Sequence, residues 1–275
     1  MDDVLLEHLE ALAVQAASAA GRFIVDERPG TVSVAATKSS PTDVVTAMDT
    51  GAEDLLREIV HRERPHDAVF GEERHHAAGE SGLTWVLDPI DGTVNYLYGI
   101  PQFAVSVAVV TGDPTRVGVW HPVVGAVAHP SASVVYHARV GGGAWRRGPD
   151  GRDAALSVSS AQSLASSLVG TGFGYRADER RAQAEIVARI LPLVRDIRRM
   201  GSAALDLCLV ASGGLDAFYE IGLNAWDIAA GWLIVTEAGG VLRGAHAGPP
   251  APRLTLAGPV GLVEDLDRLV SAEMT

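Results

Sequence analysis

Trp85-Val86-Leu87-Asp88-Pro89-Ile90-Asp91-Gly92-Thr93 is the stretch on which the fold of this chain turns. Its apolar start, Trp85 to Leu87, reads as a short buried strand that stops directly in carboxylates. Asp88 and Asp91 cannot both be ordinary core residues, because an unpaired buried carboxylate is prohibitively costly. Pro89 fixes the turn, and Gly92 lets the backbone approach a ligand closely. A helix beginning near Thr93 points the amides of Gly92 and Thr93 at one spot, which makes an anion pocket. Carboxylates beside such a pocket need a cation between them and a phosphate. Hard divalent cations held by oxygen ligands suit that place. The plainer account of the same residues is a capped turn with solvated acids.

Working outward, three more segments end in acids. Gly71-Glu72-Glu73 follows the apolar Ala68, Val69 and Phe70. Trp226-Asp227 precedes Ile228-Ala229-Ala230-Gly231, where an Asp serves equally well as a helix N-cap. Asp43 and Asp49 flank Val44-Val45-Thr46, and Asp49 stands just before Thr50-Gly51-Ala52-Glu53. That last run reads as the capping box of a helix whose buried stripe is Leu55, Leu56, Ile59 and Val60. Taken singly, each of these three is ordinary.

The surroundings bound what the acids can serve. The chain has 275 residues, enough at roughly 100–200 residues per domain for one large domain or two fused ones. It is 47% hydrophobic and 20% charged, which excludes a disordered chain. With 22 Lys and Arg against 34 Asp and Glu, the net charge is −12. Such a chain is a poor partner for nucleic acid or an anionic membrane surface, but no obstacle to a site that collects divalent cations. The single cysteine, Cys208, excludes an internal disulfide and fits a reducing compartment. The start, Met1-Asp2-Asp3, is acidic where a secretory signal is basic, and apolar runs such as Phe103 to Val110 are too short to span a bilayer. A cytoplasmic protein is the expectation.

Helical spacing of Leu5, Leu9, Leu12 and Ala16 predicts a first helix, followed by a Thr-, Ser- and Pro-rich loop over 30–42. Strands are expected at Ala68–Gly71, Phe103–Thr111, Arg116–Trp120, Gly125–His129, Ser133–Ala138 and Ala217–Glu220. Helices are expected near Glu179–Leu193, Ser202–Ala211, Asp227–Ala238 and Leu262–Val270. No hinge stands out, so 1–275 is read as one unit with an N-terminal α+β half to about 145 and a C-terminal α/β half from about 146.

Together the pieces resemble one family, the magnesium-dependent, lithium-sensitive inositol monophosphatases. The matching residues are Lys38-Ser39-Ser40-Pro41 with Asp43 and Asp49, Gly71-Glu72-Glu73, Asp88 to Thr93, Gly201-Ser202-Ala203-Ala204, and Trp226-Asp227 with Glu237-Ala238-Gly239-Gly240. They occur in the family's order, from near residue 5 to past residue 240. Thr171-Gly172-Phe173-Gly174-Tyr175 and Tyr219-Glu220 are most similar to the actinobacterial inositol-1-monophosphatases. The resemblance implies the five-layered αβαβα sandwich, an α/β (α+β) fold, of the inositol monophosphatase / fructose-1,6-bisphosphatase superfamily, and a homodimer. It implies Mg²⁺, two or three per site. Glu72, Asp88 and the Ile90 carbonyl would hold one ion, Asp88, Asp91 and Asp227 a second, and a looser third would sit near Glu72. Asp49, Thr93 and Glu72 would be the catalytic set, with Thr93 orienting the attacking water and Asp49 accepting its hydrogen bond. Phosphate would rest on Gly92 and Thr93, and the alcohol portion on Glu220, Asp227 and the Gly201-Ser202-Ala203 turn. Lys38 would be the mobile-loop lysine near the third ion.

The function implied is Mg²⁺-dependent hydrolysis of a phosphate monoester, an inositol phosphate first, by direct attack of water. One alternative is a histidinol-phosphate, sugar or nucleotide phosphatase on the same scaffold. Another is a regulatory protein whose phosphatase activity is incidental. A small-molecule phosphate monoester, with no direct nucleic acid and no membrane, is the expected partner. Other features carry no chemistry: His75-His76 reads as a solvated loop, Gly141-Gly142-Gly143 as a hairpin turn and Cys208 as core. Gly170-Thr171-Gly172-Phe173-Gly174 lacks both a P-loop lysine and dinucleotide-binding spacing.

Overall fold

The computed structural model describes residues 1–37 and 44–273. Asp2 accepts the Leu5 amide at 2.7 Å and starts α1 (Asp3–Asp26), a longer helix than its first apolar stripe suggests. A two-stranded ladder, β1 (Ala36–Thr37) with β2 (Val44–Val45), leads to α2 (Ala47–Glu63). Then follow β3 (Ala68–Gly71), β4 (Leu83–Asp91), the short α3 (Thr93–Tyr98), β5 (Ala104–Gly112), β6 (Trp120–His129), β7 (Val134–Arg139), β8 (Ala144–Arg147) and β9 (Asp153–Ala155). The remaining chain gives β10 (Leu168–Thr171), α4 (Ala177–Ile190), β11 (Asp196–Arg198), α5 (Ala203–Ala211), β12 (Ala217–Glu220), α6 (Ala225–Glu237), β13 (Val241–Arg243), β14 (Thr255–Gly258) and α7 (Val260–Val270).

Strands β3 to β9 form a seven-stranded sheet in sequence order, parallel at β3–β4 and antiparallel elsewhere. A second, five-stranded sheet runs β11-β10-β12-β14-β13. Alternation along β5 shows how the layers arise. Val105, Val107 and Val109 face α1 and α2, packing with Leu9, Leu56 and Trp85. Ala104, Ala108 and Val110 face α5 and α6, packing with Leu207 and Ile234. The far side of that helical layer covers Phe218 and Ala257 of the second sheet. The outer face of that sheet, with Val169, Ala217 and Leu256, meets Ile186 of α4 and Leu262 of α7. The result is the expected αβαβα sandwich. Helices α5 and α6 are apolar nearly all round because both flanks are covered by sheet.

Three local expectations are corrected. The strand begun by Trp85-Val86-Leu87 does not stop at the carboxylates: β4 runs on to Asp91, because both acids stay paired with β5. The capping box lies at Thr46 and Asp49, not at Thr50 and Glu53: Thr46 Oγ1 accepts the Met48 amide at 3.2 Å, and Asp49 Oδ2 accepts the Thr46 amide at 2.8 Å. Two Thr-x-x-acid pairs stand in tandem, and the first caps, which frees Glu53 for a tertiary role. Arg116–Trp120 is not a strand up to Trp120, where β6 begins. Asp113 accepts the Thr115 amide at 3.0 Å and closes a turn, and Gly112 and Gly118 take φ of 82° and 77°. The Gly141–Gly143 turn does join β7 to β8, and Cys208 is fully buried.

Candidate active site

The geometry begins with an irregularity in β4. Asp88 pairs with Ser106 and Asp91 with Ala104, so three steps on β4 oppose two on β5. That is one extra residue, a bulge. In a regular strand, residues three apart point to opposite faces. The bulge turns Asp91 onto the face of Asp88, toward the central helices. Pro89 sits inside it, where a missing N–H does no harm to the ladder. Asp227, in the first turn of α6, completes the group, and carboxylate oxygens of Asp88, Asp91 and Asp227 all lie within 4.8 Å of one another. Asp227 also caps its own helix by accepting the Asn224 amide at 2.6 Å, so the capping and clustering roles coexist.

Burial, reinforced by the charges of Glu72, Asp91 and Asp227, pushes the Asp88 carboxyl far above the ordinary range. Burial and the neighbouring Asp91 and Glu72 do the same to Asp227. Asp91 is raised by burial but opposed by hydrogen bonds from Ser202 Oγ and the Ala204 amide, both at 2.6 Å. Three carboxyls this close repel one another until a cation neutralises them. An all-oxygen donor set at this density is that of a hard divalent ion, so the residues present fit such a metal.

The remaining expected residues line a cleft of about 610 Å³, with Glu72, Ile90, Gly92, Thr93, Gly201, Ser202, Ala203 and Glu220 in its wall. Gly92 holds φ of 95°, and a Cβ there would stand 3.0 Å from the carbonyls of Gln102 and Gly201. Only glycine lets these three turns close on each other. Thr93 Oγ1 lies 3.0 Å from Asp49 Oδ1 and 3.0 Å from the Ile90 carbonyl, with one proton for two acceptors. Burial raises the Asp49 carboxyl, against hydrogen bonds from Thr46 and Thr93. Glu220 closes the far end, pushed up to about 8 by burial and by the charges of Asp206 and Asp91. Lys38 and Asp43 lie outside the described residues.

Five residues of the site go beyond the sequence expectation. Glu53, fully buried in α2, accepts the Glu73 amide at 2.6 Å, the Arg74 amide at 3.1 Å and Arg57 Nε at 2.8 Å. It thereby fixes the turn that carries Glu72. Gly71 is its counterpart, since a Cβ there would lie 2.2 Å from the Glu53 carboxylate. Asn95 Nδ2 donates to the Gln102 carbonyl at 2.7 Å and the Met200 carbonyl at 2.9 Å, joining β4's turn to the approach of α5. Asp206 lies behind the floor. Gly172 flanks Glu220, whose carboxylate would stand 2.1 Å from a Cβ at that position. Glu53→Gln is expected to weaken divalent-metal affinity by about tenfold or more, as loss of a ligand-orienting contact does, with kcat at saturating metal largely kept. Metal titration of activity checks it.

A family model described as the inositol monophosphatase family matches residues 5–271. The "Inositol-1-monophosphatase SuhB" of Mycobacterium tuberculosis (strain H37Rv) is 47% identical over 235 residues, 83% of this chain and 78% of that protein. A solved structure of Mycobacterium tuberculosis SuhB superposes with a TM-score of 0.79 at 41% identity, covering 97% of this chain and 96% of the other. The "Nus factor SuhB" of Salmonella typhimurium (strain LT2) is 36% identical over 233 residues, 84% of this chain and 83% of that protein.

Proposed function

This chain belongs to the inositol monophosphatase family and is a phosphatase, and we propose that it hydrolyses an inositol monophosphate to inositol and phosphate with Mg²⁺ as its metal. The observation that carries the reading is the convergence of the Asp88, Asp91 and Asp227 carboxylates within 4.8 Å beside the Gly92–Thr93 turn. In this reading Asp88, Asp91 and Asp227 hold one ion, and Glu72, Asp88 and the Ile90 carbonyl hold another. Bound there, Mg²⁺ supplies Lewis acidity to the phosphoryl oxygens and lowers the pKa of water.

The rest of the work falls to side chains and amides. Asp49, held by Thr46, accepts the Thr93 hydroxyl proton, which leaves the Thr93 oxygen a lone pair for the proton of an attacking water. The Gly92 and Thr93 amides receive the phosphate, and Ser202 and the Ala204 amide hold Asp91 in register. Glu220 and the Gly201–Ala203 turn receive the alcohol portion. Residues from both sheets meet in this cleft, which supports treating 1–275 as one unit. The proposal extends to a third, looser ion near Glu72, to inhibition by Li⁺ at a Mg²⁺ position and to a homodimer. Cytoplasmic residence is proposed on the lone buried Cys208. No helix among the described residues is long and apolar enough to cross a membrane.

Catalytic efficiency is measured on inositol 1-phosphate, histidinol phosphate, fructose 1,6-bisphosphate and a nucleotide 2′-phosphate. The inositol ester is expected to lead, and activity to vanish on exhaustive chelation and return with Mg²⁺. A roughly tenfold lead for histidinol phosphate, about 1.4 kcal/mol in transition-state binding, overturns the substrate. Activity indifferent to chelation overturns the mechanism. The name of the Salmonella relative favours a second reading, a partner-binding role. A cellular phenotype that survives a hydrolytically dead variant would establish it.

A further inference from the structure

Helix α5 has the sequence Ala-Ala-Leu-Asp-Leu-Cys-Leu-Val-Ala, and Asp206 is the one charged residue in it. The helix is sandwiched between two sheets, so Asp206 is 1% exposed. Its Oδ1 has no hydrogen-bond partner among the described residues. A second buried oxygen shares this condition: Thr255 Oγ1, on a residue that is 0% exposed. In the register of β12 and β14, Thr255 stands directly opposite Glu220, and directly opposed residues project to the same face. That face is the one Phe218 turns toward α5. Two orphan oxygens therefore lie behind Glu220, one from each side of the floor. Orphaned buried polar atoms are rare in folded proteins and call for a partner.

The charged groups around this floor are Asp91 from β4, Asp227 from α6, Arg199 from the approach to α5, Asp206 and Glu220. Asp206 is the first charged neighbour to act on Glu220, and burial holds its own carboxyl up at about 8. Glu220 is held up at about 8 as well, so the two carboxyls can share a proton and either can donate to the other.

We propose that Asp206 is a positioning residue for Glu220: together with the Thr255 hydroxyl it orients the Glu220 carboxylate toward the alcohol portion of the substrate, directly or through one water, and so sets which alcohols the cleft accepts. The proposal rests on the placement of the alcohol portion at Glu220. Asp206 does not line the cleft, so it acts through Glu220 alone. A hydroxyl-rich alcohol feels it, while a flat aromatic alcohol with no hydroxyl to offer does not.

Asp206→Leu, Asp206→Asn and Glu220→Gln are assayed with saturating Mg²⁺ on inositol 1-phosphate and on 4-nitrophenyl phosphate. Asp206→Leu is expected to raise KM for the inositol ester about tenfold, the loss of one hydrogen bond to a charged group. The nitrophenyl ester should keep its KM, and kcat on both should hold. Asp206→Asn, which keeps a donor and nearly the same shape, should restore the inositol KM. If Asp206→Leu does not fold, Asp206→Ser serves in its place. Equal losses on both esters, or no change on either, overturn the inference. Glu220→Gln separates its failure from that of the reading beneath it. If Glu220→Gln shifts the preference between the esters and Asp206→Leu does not, only the role of Asp206 falls. If Glu220→Gln shifts nothing, the placement of the alcohol falls first.

Discussion

Asp91→Asn is expected to abolish hydrolysis, by three orders of magnitude or more, while the protein folds normally. Loss of one anionic ligand from a clamp worth several kcal/mol corresponds to about 4 kcal/mol of barrier. The fold is insulated from the change. Asp91 Oδ2 accepts from Ser202 Oγ and from the Ala204 amide. An asparagine carbonyl accepts both bonds at the same place. Its amide group then faces the metal side, where it repels a cation instead of binding it. The metal-free protein should also gain thermal stability, since one of three mutually repelling carboxyls within 4.8 Å has gone. Adding Mg²⁺ should raise the melting temperature of the parent and not that of the variant. Differential scanning with and without Mg²⁺, run beside the activity assay, reads both. A variant that keeps a tenth of its activity, or that melts earlier without metal, removes Asp91 from the metal site.

How much of the fold and site is readable in the chain depends on whether the cause is local. The run from Asp88 to Thr93 declares itself because acids, a proline and a glycine at a strand end contradict burial. The layer positions of α5 and α6 are equally local, being written in two helices with no polar stripe. The bulge that turns Asp91 onto the face of Asp88 is not readable, because it exists only relative to the pairing partner β5. Short strands such as β10, β13 and β14 give no alternation to count. Glu53 reads as a capping residue, whereas the glycine at position 71, just before Glu72, is the available hint that something large needs that space. The spacing around Gly172 does not read as a nucleotide-binding loop. The purpose of Gly172, room for the Glu220 carboxylate, depends on a strand nearly fifty residues away in sequence. Asp206 is visible as a lone charge in an apolar helix, but the orphan oxygen that gives it meaning appears only once two sheets close around that helix.

Gly125→Ala is expected to cost about 2 kcal/mol, the usual range for overpacking a filled core. A Cβ on Gly125 of β6 would stand 2.7 Å from the Ala230 carbonyl oxygen and 2.9 Å from its Cα. Both obstacles are backbone, so neither can rotate away. On the side of α6 turned toward its neighbour in the same layer, a Cβ on Gly231 would stand 2.5 Å from Leu207 of α5. Helix α6 is thus gripped at adjoining residues between the sheet that carries Asp88 and Asp91 and the helix that holds Asp91 by its N-terminus. Pushing it outward carries Asp227 away from its partners. In a chain of this size about 2 kcal/mol lowers the melting temperature by roughly 4–8 °C. A displacement near 1 Å at a reacting centre costs about a hundredfold in rate. Activity at 25 °C, where the variant is still folded, should therefore fall far more than the population of folded protein does. Gly261→Ala is the matched control. It lies exposed in α7, with nothing among the described residues within 4 Å of an added methyl and an ordinary helical backbone. There the same change should stabilise by about 0.5–1 kcal/mol and leave hydrolysis alone. If both substitutions shift stability in the same direction, or if Gly125→Ala loses stability without losing rate, the close seat of α6 is not what sets the distance between Asp227 and the carboxylates of β4.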